Sequence, residues 1–153
     1  MSVESPLRVG LIGVGSVVRE IYRHLFSKRG SGAALEVVAA ADPNPDALHW
    51  FGQEAGLPPE ALHEDYRAMI ASHRLDAVQV NTPDRLHLQP TLDALEAGLD
   101  AVVPKPAAAC VADAHRMLEA ARRLDRLVLV DFHKRADPRI LEAASTAAAR
   151  RKN

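Results

Sequence analysis

Three places in this chain combine residue types and spacings suited to holding an anion, a sugar hydroxyl or a reacting oxygen. The first is Gly13-x-Gly15-x-x-Val18, at the end of an apolar run. At a strand-to-helix junction the first glycine permits a tight turn, and the second lets the backbone come close to a pyrophosphate. A helix opening near Ser16 and Val17 aims its free N–H groups and the positive end of its dipole at such an anion. Val18 departs from the glycine or alanine usual at that place, which predicts a helix set slightly away from the strand, or shifted. Methyltransferases also use glycine-rich first loops, and many such turns bind nothing.

The second place is Asp42, at the end of the run "VVAAA" and 27 residues beyond Gly15. In a dinucleotide-binding fold an acid here accepts hydrogen bonds from the adenosine ribose, usually at a spacing of ~20 residues. The loop "SKRGSGAA" accounts for the extra length. The other reading makes Asp42 the cap of the helix that follows, and the two roles are compatible. A carboxylate there repels a ribose 2′-phosphate and no arginine follows at once, so NAD is expected over NADP. The third place is Lys105, between Pro104 and Pro106. Two prolines end a strand and stiffen the corner, leaving either a solvated turn or a cation presented to chemistry. The Lys105–Pro106 bond is open to the cis form, which at X–Pro costs only ~0.5–1 kcal/mol and would turn the side chain inward.

Such residues need a scaffold, and the apolar pattern supplies one. Short apolar runs at about Leu7–Val14, Leu35–Ala41, Leu75–Val80, Ala101–Val103 and Leu127–Phe132 read as strands covered on both faces, with a sixth, short strand near Ala61–His63. Between them Val18, Ile21, Tyr22 and Leu25 recur at helical spacing, as do Val111, Ala114, Met117 or Leu118, and Ala121, and a shorter stripe of Leu88, Leu92 and Leu95. "DPNPD", "GLPPE" and "EAGLD" read as turns or helix stops. Strands alternating with helices predict an α/β fold, a doubly wound parallel (Rossmann) sheet of order 3-2-1-4-5-6. Its crossovers are right-handed, with a ligand cleft at the carboxyl ends of the strands. A length of 153 residues fits one domain of ordinary size.

A formal net charge of -1 gives no electrostatic case for nucleic acid or a membrane surface. The start lacks a signal-peptide pattern, so a cytoplasmic location is expected. One cysteine forms no intrachain disulfide, and seven dispersed histidines without a second cysteine give no zinc spacing, so no metal is expected.

From "VQVNTPDRLHLQPTLDALEAGLDAVVPKP" to "VLVDFHKRADP", together with the glycine loop, the chain resembles the Gfo/Idh/MocA family of NAD(P)-dependent sugar and polyol oxidoreductases. The resemblance implies a six-stranded dinucleotide-binding domain at residues 1–137, with residues 138–153 forming a helix and basic tail where a larger substrate domain would begin. The likeness stops there, so the family's C-terminal substrate domain, which carries much of the substrate site and the oligomer interface, is expected to be absent. It implies that Asn81, Thr82 and Pro83 line the cofactor path, and that His87 caps or orients the helix that follows. Turn chemistry at Asn81-Thr82-Pro83 and an ordinary surface histidine are the alternatives. Lys105 is the expected catalytic residue, an ammonium that also borders the cofactor and hydrogen-bonds the reacting substrate oxygen. The family usually has Glu-Lys-Pro where this chain has Pro104-Lys105-Pro106, which removes the glutamate. Lys134 and Arg135 are expected to contact cofactor or substrate, or to form a solvated basic loop, and Asp137 to cap the closing helix.

The family's acid/base aspartate and histidine commonly come from the second domain. The expected function is therefore the NAD-binding part of a sugar or polyol oxidoreductase, incomplete as a catalyst alone. The alternative is a non-catalytic dinucleotide-binding or regulatory module. A fragment, a stand-alone module and a chain completed by a partner polypeptide all remain open. Apolar surface that a second domain would cover is expected to drive self-association, a dimer first.

Overall fold

A computed structural model describes residues 5–26, 34–132 and 137–150. The elements run β1 (Leu7–Ile12), α1 (a wide π-type stretch, Val18–Tyr22, continued by Arg23–Phe26), β2 (Leu35–Ala41), α2 (Pro45–Ala55) and β3 (Leu62–His63). They continue with α3 (Tyr66–Ser72), β4 (Ala77–Val80), α4 (Leu88–Glu96), β5 (Asp100–Pro104), α5 (Val111–Leu124), β6 (Val128–Asp131) and α6 (Pro138–Arg150). The six strands form one sheet of order β3-β2-β1-β4-β5-β6, every neighbouring pair parallel. This is the expected doubly wound α/β sheet, with β1 and β4 meeting where the winding reverses.

Two apolar layers hold the helices on. Ile12, Val78, Val80 and Ala101 of the sheet pack with Met69 of α3, Leu95 of α4 and Ala120 and Ala121 of α5. On the opposite face Val9, Leu11 and Ala40 pack with Val18, Tyr22 and Phe26 of α1 and with Leu48 and Phe51 of α2. Val18 is fully buried, and a wide, π-type turn begins with it. The Tyr22 hydroxyl donates to Asp131, tying α1 across to β6, and burial followed by that carboxylate pushes the phenol's pKa up.

Several boundaries differ from expectation for local reasons. "DPNPD" is not only a turn, because Pro45 occupies the first turn of α2, where its missing N–H costs nothing, and the Asn44 side chain caps the helix. Pro104 does not stop β5 short, since it pairs with Asp131 as the strand's last residue. At the β6 edge the expectation of strands covered on both faces fails. Gln79, Val102 and Leu129 are cross-strand neighbours in one row, and along it exposure rises from 7% at Gln79 to 62% at Leu129. An apolar run looks the same whether or not a helix covers it. As expected, Asp137 caps α6, its Oδ1 accepting from the Arg139 N–H at 3.0 Å, but residues 138–146 of that helix are all exposed. Lys134 and Arg135 lie outside the described residues. Among the described residues no helix is long and apolar enough to cross a membrane.

Candidate functional site

The carboxyl ends of β1, β2 and β4 meet around a cavity of ≈ 690 Å³. Its floor is the glycine loop. Gly13 takes φ +88°, donates its N–H to Ala41 O at 2.7 Å, and sits so close to β4 that an added Cβ would lie 3.0 Å from the Asn81 carbonyl group. Both the positive φ and the close approach demand glycine. Gly15 is the opposite case, because a Cβ there would meet no heavy atom of the described residues within 4 Å, and Gly15 lines the cavity in front of α1. Ser16 and Val17, exposed at the entrance to α1, line it as well.

Asp42 forms the β2 wall, and both its oxygens are held. Oδ2 accepts from the Val14 N–H and Oδ1 from the Asn44 N–H, each at 2.9 Å, while its own N–H donates to His63 O at 3.0 Å. Asp42 therefore does not cap α2; Asn44 does, because its extended backbone turns Oδ1 onto the Asp46 N–H at 3.0 Å. Each Asp42 oxygen keeps a lone pair free for a ligand hydroxyl.

Asn81, Thr82 and Pro83 form the β4 wall. Buried Asn81 donates through Nδ2 to Gly13 O at 3.3 Å and accepts from Gln79 Nε2 at 3.0 Å, so it locks the glycine loop rather than acting as turn filler. The Thr82 Oγ1 is buried with no hydrogen-bond partner among the described residues, and Thr82 lines the cavity. An orphaned hydroxyl and a glycine loop facing open space, which can donate to phosphate, and a fixed carboxylate, which can accept from ribose hydroxyls, fit a nucleotide.

Two expected site residues lie outside this wall. His87 is neither a surface histidine nor a side-chain cap, being 1% exposed and making no capping bond to α4. Its ring spans Thr82 O at 2.8 Å and Pro106 O at 3.1 Å. Lys105 is exposed and absent from the cavity lining, and the Lys105–Pro106 bond is cis. Conversely, Glu64, Asp65 and Tyr66 line the cavity without having been expected. Their signal is the register Ala41↔His63, which sets the residues after His63 beside Asp42. Asp65 is committed to capping α3, accepting from the Arg67 N–H at 3.0 Å. Tyr66 donates to Asp93 at 2.7 Å, and burial followed by that carboxylate pushes its phenol's pKa up. Among the described residues no three potential metal ligands gather.

Known proteins place this geometry. A family model described as an oxidoreductase family with NAD-binding Rossmann fold, Gfo/Idh/MocA, matches residues 7–132. D-glucoside 3-dehydrogenase of Escherichia coli K12 is 34% identical over 131 residues, covering 86% of this chain and 36% of that protein. A crystal structure of myo-inositol 2-dehydrogenase from Lactobacillus plantarum superposes with a TM-score of 0.81 at 26% identity, covering 94% of this chain and 41% of the other. The WlbA dehydrogenase from Chromobacterium violaceum, solved with NADH and UDP-GlcNAcA, superposes with a TM-score of 0.78 at 25% identity, over 88% and 37%. The chain thus spans about two fifths of the length of these relatives. With the match running from β1 through β6, the chain belongs to the Gfo/Idh/MocA oxidoreductase family and comprises its NAD-binding Rossmann domain.

Proposed function

We propose that this domain serves an oxidoreductase acting on sugars or polyols, and that Gly13, Gly15, Ser16, Val17, Asp42, Asn81, Thr82 and Pro83 hold its NAD. The observation that carries the reading is the cradle: Gly13 pressed on Asn81, Gly15 facing open cavity, and Asp42 fixed by the Val14 N–H. Bound NAD supplies hydride acceptance at its nicotinamide ring. The chain's own work is to bind and to orient. The glycine loop and the start of α1 present backbone N–H groups to phosphate, and Asp42 accepts from ribose hydroxyls. Glu64 and Asp65 beside Asp42 add negative charge that opposes a 2′-phosphate, so NAD is preferred to NADP.

Lys105 is the residue proposed to meet the substrate, its ammonium stabilising charge on the reacting oxygen. Its support is placement, at the carboxyl end of β5 next to β4 and tied through Pro106 and His87 to the cavity wall. The 153-residue chain alone is proposed to bind nucleotide without turning over polyol, since Lys105 stands outside the cavity lining. A second reading, a non-catalytic nucleotide-binding module, is favoured by Pro104 in the family's glutamate position and by Lys105 lying outside the cavity wall.

Calorimetry with NADH and NADPH tests the cofactor site, and equal or reversed affinities would remove Asp42 from selection. Assays with a polyol panel, run on the chain and on the chain supplied with a substrate domain from a relative, separate the two readings. A Lys105-dependent rate in the second assay supports the oxidoreductase, whereas none supports the module. Exposed Leu127, Leu129, Ile140 and Leu141 support association into a dimer, and a clean monomer by light scattering at high concentration would count against it.

A further inference from the structure

We propose that His87 is a positioning residue whose ring ties the Lys105 corner to the nucleotide-cavity wall, so that occupancy at Thr82 is felt at Lys105. The inference rests on the proposed roles of the cavity and of Lys105, and adds a mechanical link between them. His87 precedes α4 by one residue and is buried beneath two loops, one leaving β4 and one leaving β5. Each ring nitrogen faces a backbone carbonyl, Nε2 that of Thr82 at 2.8 Å and Nδ1 that of Pro106 at 3.1 Å. A carbonyl oxygen only accepts, so each contact is a hydrogen bond only when that nitrogen carries its proton. The root of the side chain is fixed from behind, because His87 O accepts from Thr91 Oγ1 at 2.7 Å inside α4. The ring is therefore a strut anchored on a helix and spanning two strand-end loops.

Both ends of the strut matter. Thr82 walls the cavity and carries the orphaned hydroxyl, and its neighbour Asn81 is bonded to Gly13 O. Pro106 follows Lys105 directly. The contacts run from the glycine loop through Asn81, Thr82, His87 and Pro106 to Lys105, and a neutral His87 ring, with one N–H, hydrogen-bonds one of the two carbonyls and lies in van der Waals contact with the other. A purely structural histidine would stabilise the fold equally with the cavity empty or filled. A strut makes a different prediction, because a ligand that moves Thr82 is then expected to move the Lys105 corner through the ring.

The sequence holds four lysines, so ¹³C-dimethyl-lysine spectra are simple, and Lys105→Arg assigns the signal. NADH titrated into the full chain is expected to shift the Lys105 resonance. In His87→Phe that shift is expected to vanish while NADH affinity falls less than about tenfold. His87→Gln, whose amide offers two N–H donors, is expected to restore it. A Lys105 shift that persists in His87→Phe would overturn the proposal. If His87→Phe does not fold, His87→Asn, too short to span both loops, is expected to cut the response by more than half, and an undiminished response would overturn it instead. Failure of the unmodified chain to bind NADH would defeat the cofactor reading, whereas NADH binding without any Lys105 response would defeat the strut alone.

Discussion

The two halves of the sheet are built differently. On the β3-β2-β1-β4 side the residues that shape the cavity are each held by others: Gly13 by Ala41 and Asn81, Asp42 by Val14, Asn44 and His63, and Asn81 by Gln79 and Ile12. On the β5-β6 side the Lys105 corner is exposed, Leu127 is 71% exposed, and α6 keeps residues 138–146 on the surface. Ordering a binding group before the ligand arrives removes an entropy cost from binding. The first half is therefore ordered ahead of the nucleotide it is proposed to hold. The second half presents a cation and apolar surface, and the His87 ring and the Tyr22–Asp131 bond tie it to the first.

That contrast is broken most severely at Gly13. Alanine there must accept φ +88° and a Cβ 3.0 Å from Asn81 backbone, which cannot yield as a flexible side chain would. A cost of about 3 kcal/mol follows from such strain. Thermal unfolding of Gly13→Ala should show a midpoint lower by roughly 6–12 °C for a chain of this size. An unchanged midpoint would mean that the loop is not interlocked with β4. Gly15→Val separates binding from folding. Its side chain enters open space, so the midpoint should move by less than about 2 °C. The same side chain takes the volume where a pyrophosphate would lie, and calorimetry should show both NADH and NADPH weakened about a hundredfold.

A smaller effect is expected at Asp42. Alanine leaves the Val14 and Asn44 N–H groups without their acceptor and removes the proposed ribose partner. NADH should weaken about tenfold, as loss of a hydrogen bond to a charged group implies. NADPH should change less, so the preference narrows. A preference that stayed as wide would shift selection to Glu64 and Asp65. Lys105→Met tests the other half, and because that ammonium lies outside the cavity wall, NADH affinity should change by less than about threefold. A larger loss would mean that the corner closes over bound nucleotide.

The first half was also the more legible. The five main strands were expected because their apolar runs are local and separated by helical spacing. Gly13 and Asp42 stood out because their roles follow from strand ends alone. What depends on tertiary register leaves no local pattern in the sequence. Glu64, Asp65 and Tyr66 reach the cavity through the two-residue pairing of β3 with β2, too short to show a period. His87 reaches Pro106 across 19 residues, which no local pattern encodes. The choice of Asn44 over Asp42 as cap turns on one backbone conformation, ψ 111° at Asn44. The open face of β6 was hidden because an apolar strand carries no mark of whether anything packs on it.

The smallest expected effect comes from a histidine pair at the edge of the first half. His63 and His73 share a hydrogen bond, Nε2 to Nε2 at 2.8 Å, so one ring donates and the other must keep a lone pair. Burial, and then the neighbouring His73, hold the His63 pKa below its ordinary value. The folded chain thus binds fewer protons here than the unfolded chain does, and stability rises with pH. The contribution is fully present above the unfolded value of about 6.5 and is lost as pH falls through the depressed folded value. Both rings are only partly buried, so solvent screening keeps the contribution small. His63→Gln combined with His73→Gln should flatten the fall in unfolding midpoint between about pH 7.5 and 5.5 relative to the unmodified chain. Because His63 O accepts the Asp42 N–H, acidification should also weaken NADH binding in the unmodified chain more than in the double variant. Equal pH slopes in the two proteins would release the β3 edge from that role and leave the first half's order to the glycine loop and β4.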